Sequence, residues 1–235
     1  MLEFSYFALS TFILLLLLFG NYKLVNLARN SGTGKTYKTP NIAGIIVLWL
    51  LYLSALSFSG LLKDYSLPPR FPLLVFLPFA FWTTLFYIRN KNNPIFERLP
   101  LQWTTFFQSF RIAVELLLLF TYYKGIIPVE ATFEGYNFDI LMGISAVLIG
   151  FVFANKVARY KRLLVFWNGI GILMVLIVAF IVGTSVYKSE LWGYDRPTVS
   201  TAFFSLPYLL IPGFLAPAAI FVHVVSFLQI RQKAN

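Results

Sequence analysis

The chain has 235 residues, 59% of them apolar and 19% aromatic, with only 12% charged. Soluble domains run near half apolar and a quarter charged, so an ordinary soluble fold is excluded and bilayer-crossing helices of about 20 apolar residues are expected. The net charge of +10 fits basic loops on the cytoplasmic face of a membrane better than nucleic-acid binding, and the lack of cysteine excludes disulfides, thiolate metal sites and a cysteine nucleophile.

The first apolar span covers Leu2–Lys23. It has no basic leader, Glu3 stands where one would be, and no small-residue cleavage site follows, so it reads as a retained helix rather than a signal peptide. The segment after it contains "SGTGKT" from Ser31, the tail of a phosphate-binding loop. The glycine that such a loop needs is replaced by Arg29 and a membrane helix precedes it, so the segment reads as a basic loop. The second span covers Asn41–Leu62. The third, Phe71–Ile88, is interrupted by Pro72 and Pro78, which a membrane helix tolerates when neighbours satisfy the freed carbonyl. The remaining spans are Leu101–Tyr123, Phe138–Val157, Leu163–Tyr187 and Phe203–Ile230.

The expected fold is therefore all-α, one domain of seven transmembrane helices. The connecting segments alternate in charge. One side carries thirteen basic residues and a single acid, Glu97; the other carries five basic residues and seven acids. The positive-inside rule puts the N-terminus outside and the C-terminus in the cytoplasm of a bacterial inner membrane.

A weak internal repeat accompanies these spans. "NIAGIIVL" at Asn41 matches "NGIGILMV" at Asn168, "FGNYK" matches "FANK", and the proline-bearing "FPLLVFLP" matches "LPYLLIPG". The pattern fits two parallel three-helix units joined by the fourth helix, an arrangement of small transporters. Chance likeness between apolar helices fits it as well.

The fourth span carries the chemistry. Thr104, Gln108, Arg111 and Glu115 follow at spacings of four, three and four, which places them on one helical face. Arg111 lies ~16 Å along the helix and Glu115 ~22 Å, near the middle of a hydrocarbon layer ~30 Å thick. A single charge at that depth costs ~2.5–3.5 kcal/mol even on the lenient scale. Residues one turn apart can neutralise each other, so an Arg111–Glu115 ion pair is expected, either as a ligand or proton site or as a structural clamp. Asn168 and His223 lie at matching depth on the sixth and seventh helices. His223 alone reads as a satisfied core histidine; with Arg111, Glu115, Gln108 and Asn168 it reads as part of one polar binding site. Outside, "TFEGYNFDI" joins the fourth and fifth helices. Asn137 can cap the fifth helix and Asp139 suits its dipole. Glu134 can pair with Lys124 or, with Asn137 and Asp139, cover the mouth of the bundle as a gate.

The strings "QSFRIAVELLLLF", "GIIPVEATFEGYNFDI", "WNGIG" and "LPYLLIPGFLAPAAIFVHVVSF" resemble a recurring group of uncharacterised small bacterial seven-helix membrane proteins with QSFRIxVE and TFEGxNFDI motifs. The resemblance runs from about Gln102 to Gln229. It implies that Arg111, Glu115, Glu134, Asn137, Asp139, Asn168 and His223 belong to one pattern, and it implies no substrate.

The function expected is binding, and translocation, of a small or amphipathic molecule, with Arg111 the anchor for an anionic head. No metal or cofactor is expected. The partners expected are the lipid bilayer and a small molecule, with a membrane-protein partner or a second copy as a further option. The alternative is a non-catalytic subunit or sensor, which needs an apolar face without a cavity. An intramembrane enzyme ranks third, since no nucleophile or metal set accompanies Glu115 or His223.

Overall fold

A computed structural model describes residues 1–29 and 41–233; the SGTGKT segment, Lys35 and Lys38 lie outside the described residues. Among the described residues the chain is helical with no strand. Seven helices stand in order: α1 (Leu2–Arg29), α2 (Ile42–Ser59), α3 (Pro72–Asn90), α4 (Leu101–Tyr123), α5 (Ile140–Val152), α6 (Val157–Tyr187) and α7 (Ile211–Lys233). Six are long and apolar enough to cross a membrane; α5 is the shorter apolar one.

Local chemistry explains most boundaries. The Asn41 side chain caps α2 by accepting from the Gly44 N–H at 3.0 Å. Gly60 closes α2 in the left-handed region, at φ 71°, and donates its N–H to Ser57 O. Helix α1 runs past Lys23 to Arg29, because the polar stretch after the apolar run still favours helix and a basic residue suits its last turn. Helices α3 and α7 both open with a π-helical turn, at Pro72–Phe76 and Ile211–Leu215, where proline lacks the N–H that the ordinary ladder needs. The proline-bearing strings both lie near the start of a helix, with Pro72 inside the turn of α3 and its match Pro207 ahead of α7. The other two matches do not sit at like places: Asn41 caps a helix while Asn168 lies inside α6, and FGNYK lies within α1 while FANK forms the turn after α5.

Helix α7 is the hub. In its most apolar stretch 72% of residues are buried, against 56% in α4 and 17% in α1 and α3. Trp49 of α2 donates to Gly213 O at 2.8 Å, Trp82 of α3 stacks on Phe221 at 5.3 Å, and Gln229 Nε2 donates to Leu99 O at 3.3 Å. The outer helices turn large apolar side chains such as Phe12, Leu15, Leu48, Phe81 and Phe180 outward, the surface expected against lipid.

The fifth span differs from expectation. Phe138–Val157 reads as a full crossing, but α5 has 13 residues. That is ~20 Å, short of a ~30 Å hydrocarbon layer. The chain before it, from Gly125 to Asp139, stays at the surface only in part. The rest folds into the bundle, and Ala131, Thr132 and Asn137 are fully buried there. Irregular backbone at such a position needs protein partners, and it has them: Thr132 N donates to Val129 O, Tyr136 N to Glu130 O and Asn137 N to Thr132 O. Glycine lets α5 approach α4 closely. A Cβ at Gly143 would lie 2.9 Å from Ile112 N, and one at Gly150 would lie 2.5 Å from the Phe106 ring.

Candidate functional site

Helix α4 is interrupted where its polar face begins. Gln108–Phe110 forms one turn of tighter 3-10 helix, and Arg111 opens the α-helical stretch that follows. The Arg111 side chain, 1% exposed, points away from lipid into the junction of α5, α6 and α7. Its Nε donates to Asp139 Oδ2 at 2.7 Å and one Nη2 hydrogen to Asp139 Oδ1, a bidentate ion pair. The other Nη2 hydrogen reaches Gly171 O at 3.0 Å, and Nη1 lies 3.1 Å from His223 Nε2.

These contacts fix the histidine. A guanidinium nitrogen can only donate, so His223 Nε2 accepts. Nδ1 then carries the ring proton and donates to Asn168 Oδ1 at 2.8 Å, while Asn168 Nδ2 donates to Leu164 O at 2.8 Å. The chain of donors runs one way, from Arg111 through His223 and Asn168 to the α6 backbone. Gly171 makes room for it: a Cβ there would lie 2.2 Å from His223 Nε2. Trp167 packs edge-on to the His223 ring at 5.5 Å.

The expected Arg111–Glu115 ion pair is not what forms. Arg111 pairs with Asp139, and Glu115 forms no ion pair among the described residues. The reason is the segment before α5, whose buried Asn137 and Asp139 bring an amide and a second carboxylate to the polar face of α4. Glu115, 1% exposed, receives the Asn137 amide instead, with Nδ2 at 2.9 and 2.8 Å from its two carboxylate oxygens. Asn137 cannot be turned over. Its Nδ2 also donates to Ala131 O at 3.1 Å, and its Oδ1 accepts from Asp139 N at 2.9 Å. Glu115 therefore faces a donor.

The gate residues separate. Asn137 and Asp139 are buried parts of the polar cluster and do not cover a mouth. Asn137 turns its Oδ1 to the Asp139 N–H, and the Asp139 carboxylate serves Arg111 rather than the helix end. Glu134 stays outside, accepting from Tyr123 Oη at 3.1 Å. Lys124 pairs with Glu3 at 3.8 Å and not with Glu134. Gln108 is fully buried and donates to Ala219 O at 3.1 Å, while its Oε1 has no partner among the described residues. Thr104 lies 2.6 Å from Gln229 Oε1 at the other end of the stripe. The structure so brings Arg111, Asn168 and His223 together and adds Asp139, Asn137 and Gly171, which spacing on a single helix could not supply.

A cavity of about 350 Å³ reaches this cluster. It lies between α3, α4, α6 and α7, and its wall is almost wholly apolar, with Arg111, Glu115 and Asp139 at one end. Phe76 of α3 and Leu176 and Phe180 of α6 line it and are themselves exposed, at 38%, 38% and 63%. The cavity thus opens sideways, between α3 and α6, onto the face that lipid would cover. Its size is that of a small-ligand pocket, and an apolar wall with a few convergent polar groups is the usual form of one. A second cavity of about 460 Å³ between α1, α2, α3 and α7 is lined by apolar and aromatic side chains and no charged one. No protein-family model, curated protein or solved structure matches the chain.

Proposed function

We propose that the protein is a multi-pass protein of the bacterial cytoplasmic membrane, N-terminus outside and C-terminus inside, that binds a small amphipathic molecule and passes it through the bundle. The observation that carries this reading is the laterally open apolar cavity ending on buried Arg111, Glu115 and Asp139. A membrane enters the cavity's mouth with hydrocarbon, so a molecule with an apolar body can slide in and place a polar head at the charged end. The proline-opened helices α3 and α7, whose π-helical turns line the same cavity, supply the places where the walls can bend. The alternative of a subunit acting through partners needs no such cavity. The basic loops support the orientation.

The test uses the purified protein in phosphatidylcholine nanodiscs and a decanol with a diazirine near its chain end. Light should attach the probe to the cavity wall around Val75, Val175 and Ala179. The variant Gly183→Leu should abolish that labelling, since Gly183 lines the cavity and a Cβ there meets nothing within 4 Å, so the new side chain fills open space. Labelling spread over the outer face of α1 and unchanged by Gly183→Leu would refute the reading. For orientation, a reporter after Asn235 should lie in the cytoplasm and one at Glu130–Tyr136 outside.

A further inference from the structure

Resting on the reading of this cavity as a binding site, we infer that it selects amphiphiles with a cationic head, an ammonium, and that Glu115 is the group that holds it. Three observations converge. The bidentate edge of Arg111 is already occupied: Nε and Nη2 face Asp139, and the remaining contacts go to Gly171 O and His223 Nε2. An anionic head could take a bidentate place on Arg111 only by displacing a buried carboxylate. Glu115 also lines the cavity and has a single donor group, the Asn137 amide. Because the backbone fixes the orientation of that amide, both oxygens of Glu115 meet a donor. The site is thus built to accept hydrogen bonds at Glu115. The third observation is charge. The titratable side chains at the cavity's end are Arg111, Asp139 and Glu115: Arg111 and Asp139 pair with each other, Glu115 has no ion-pair partner among the described residues, and His223 is held as the neutral imidazole by its donor and acceptor partners. Arg111 and Asp139 cancel, so the charge that Glu115 carries when ionised is the one at this end without a counter-charge. Buried charges are ordinarily paired, and a carboxylate with lone pairs to spare beside an open apolar space is completed by a mobile cation with N–H donors. The apolar wall requires that cation to carry a hydrocarbon body. It comes from the bilayer, since the mouth between α3 and α6 faces lipid.

Decylamine, decanol and decanoate have one chain and three heads. Each is used to displace the diazirine-decanol crosslink from the wild-type protein and from Glu115→Gln, in the same phosphatidylcholine nanodiscs. Comparing each competitor between the two proteins cancels its partition into the bilayer. Decylamine should displace the probe from wild type at about tenfold lower concentration than from Glu115→Gln, the difference between a charge-assisted and a neutral hydrogen bond. Decanol should change little between the two proteins, and decanoate should gain in the variant. Equal displacement by decylamine from both proteins would overturn the cation selectivity and leave the cavity reading intact. Absence of displaceable labelling in wild type would overturn the cavity reading itself. If Glu115→Gln does not fold, Glu115→Asp draws the carboxylate back by one methylene; it should reduce the decylamine advantage several-fold, and an unchanged advantage there would overturn the assignment to Glu115.

Discussion

Asp139 and Glu115 are two carboxylates of one small region, both withdrawn from solvent, and they are treated in opposite ways. Asp139 is clamped by both arms of a guanidinium that also reaches Gly171 O and His223 Nε2. Glu115 has one amide and an open cavity. The first arrangement is a paired one, its charge answered within the protein. The second is open on one side. The difference teaches that burial of a charge does not by itself mark a site; what distinguishes a framework charge from a working one is whether its coordination is complete.

The sharpest way to break this comparison is to remove each carboxylate in turn. Asp139→Asn strands Arg111 in the core and should cost ~3–5 kcal/mol, the range for deleting one partner of a buried pair. Denaturant unfolding in micelles reads it. Replacing Arg111 by Met and Asp139 by Leu together should recover much of that loss; a double variant worse than Asp139→Asn alone would show that the pair is not an isolated unit. Next in size is Gly171→Ala. Its Cβ would sit 2.2 Å from His223 Nε2, so the ring must move off Arg111 and Asn168. Overpacking of this kind costs ~1–3 kcal/mol, and the fluorescence of the neighbouring Trp167 should shift with it. Glu115→Gln should cost less than ~1 kcal/mol, within the range for a single hydrogen bond, because no buried counter-charge is stranded. A loss as large as that of Asp139→Asn would erase the distinction between the two carboxylates.

The smallest effect is expected where a similar pair lies in water. Asp64 and Arg70 form an exposed ion pair in the segment between α2 and α3. The Asp64 carboxyl is held below its ordinary range, chiefly by the Ser66 backbone N–H, with Arg70 adding to it. A depressed carboxyl stabilises the folded state above the unfolded pKa and loses that contribution as pH falls through the folded value. The change should begin only below about pH 4 and be slight. Wild type should melt slightly above Asp64→Asn at neutral pH, and the small gap should close on acidification.

The helices were largely legible in the sequence, and so was the polar face of α4, since Gln108, Arg111 and Glu115 need only helical spacing to be placed together. The depth match that linked Asn168 and His223 to Arg111 followed from the same arithmetic. The partner of Arg111 was not legible. Asp139 stands next to the start of an apolar run, where a cap or a dipole contact explains an acid well, and only the inward fold of the 124–139 segment turns it into a core residue. One signal was available: "NFDI" and "FANK" bracket an apolar stretch too short to cross hydrocarbon, so one of its ends had to lie inside. The cavity could not be read at all, because it is formed by what α3, α4, α6 and α7 fail to fill, and sequence records side chains rather than the gaps between them.

The shortness of α5 has a consequence for the surrounding lipid. Its outward residues Leu141, Ile144, Leu148 and Phe151 are exposed and apolar over a height set by 13 residues, ~20 Å, while the apolar run of α1, Leu2–Lys23, spans ~33 Å. The protein's belt is therefore uneven, tall on one flank and low on the other. Lipids next to α5 must thin or tilt to meet it, and each ångström of hydrophobic mismatch costs a fraction of a kcal/mol. The chain should melt higher in short-chain than in long-chain phosphatidylcholine, and lengthening α5 by one apolar turn should flatten that dependence. A melting temperature that is indifferent to chain length would mean that the low flank is covered by something other than lipid.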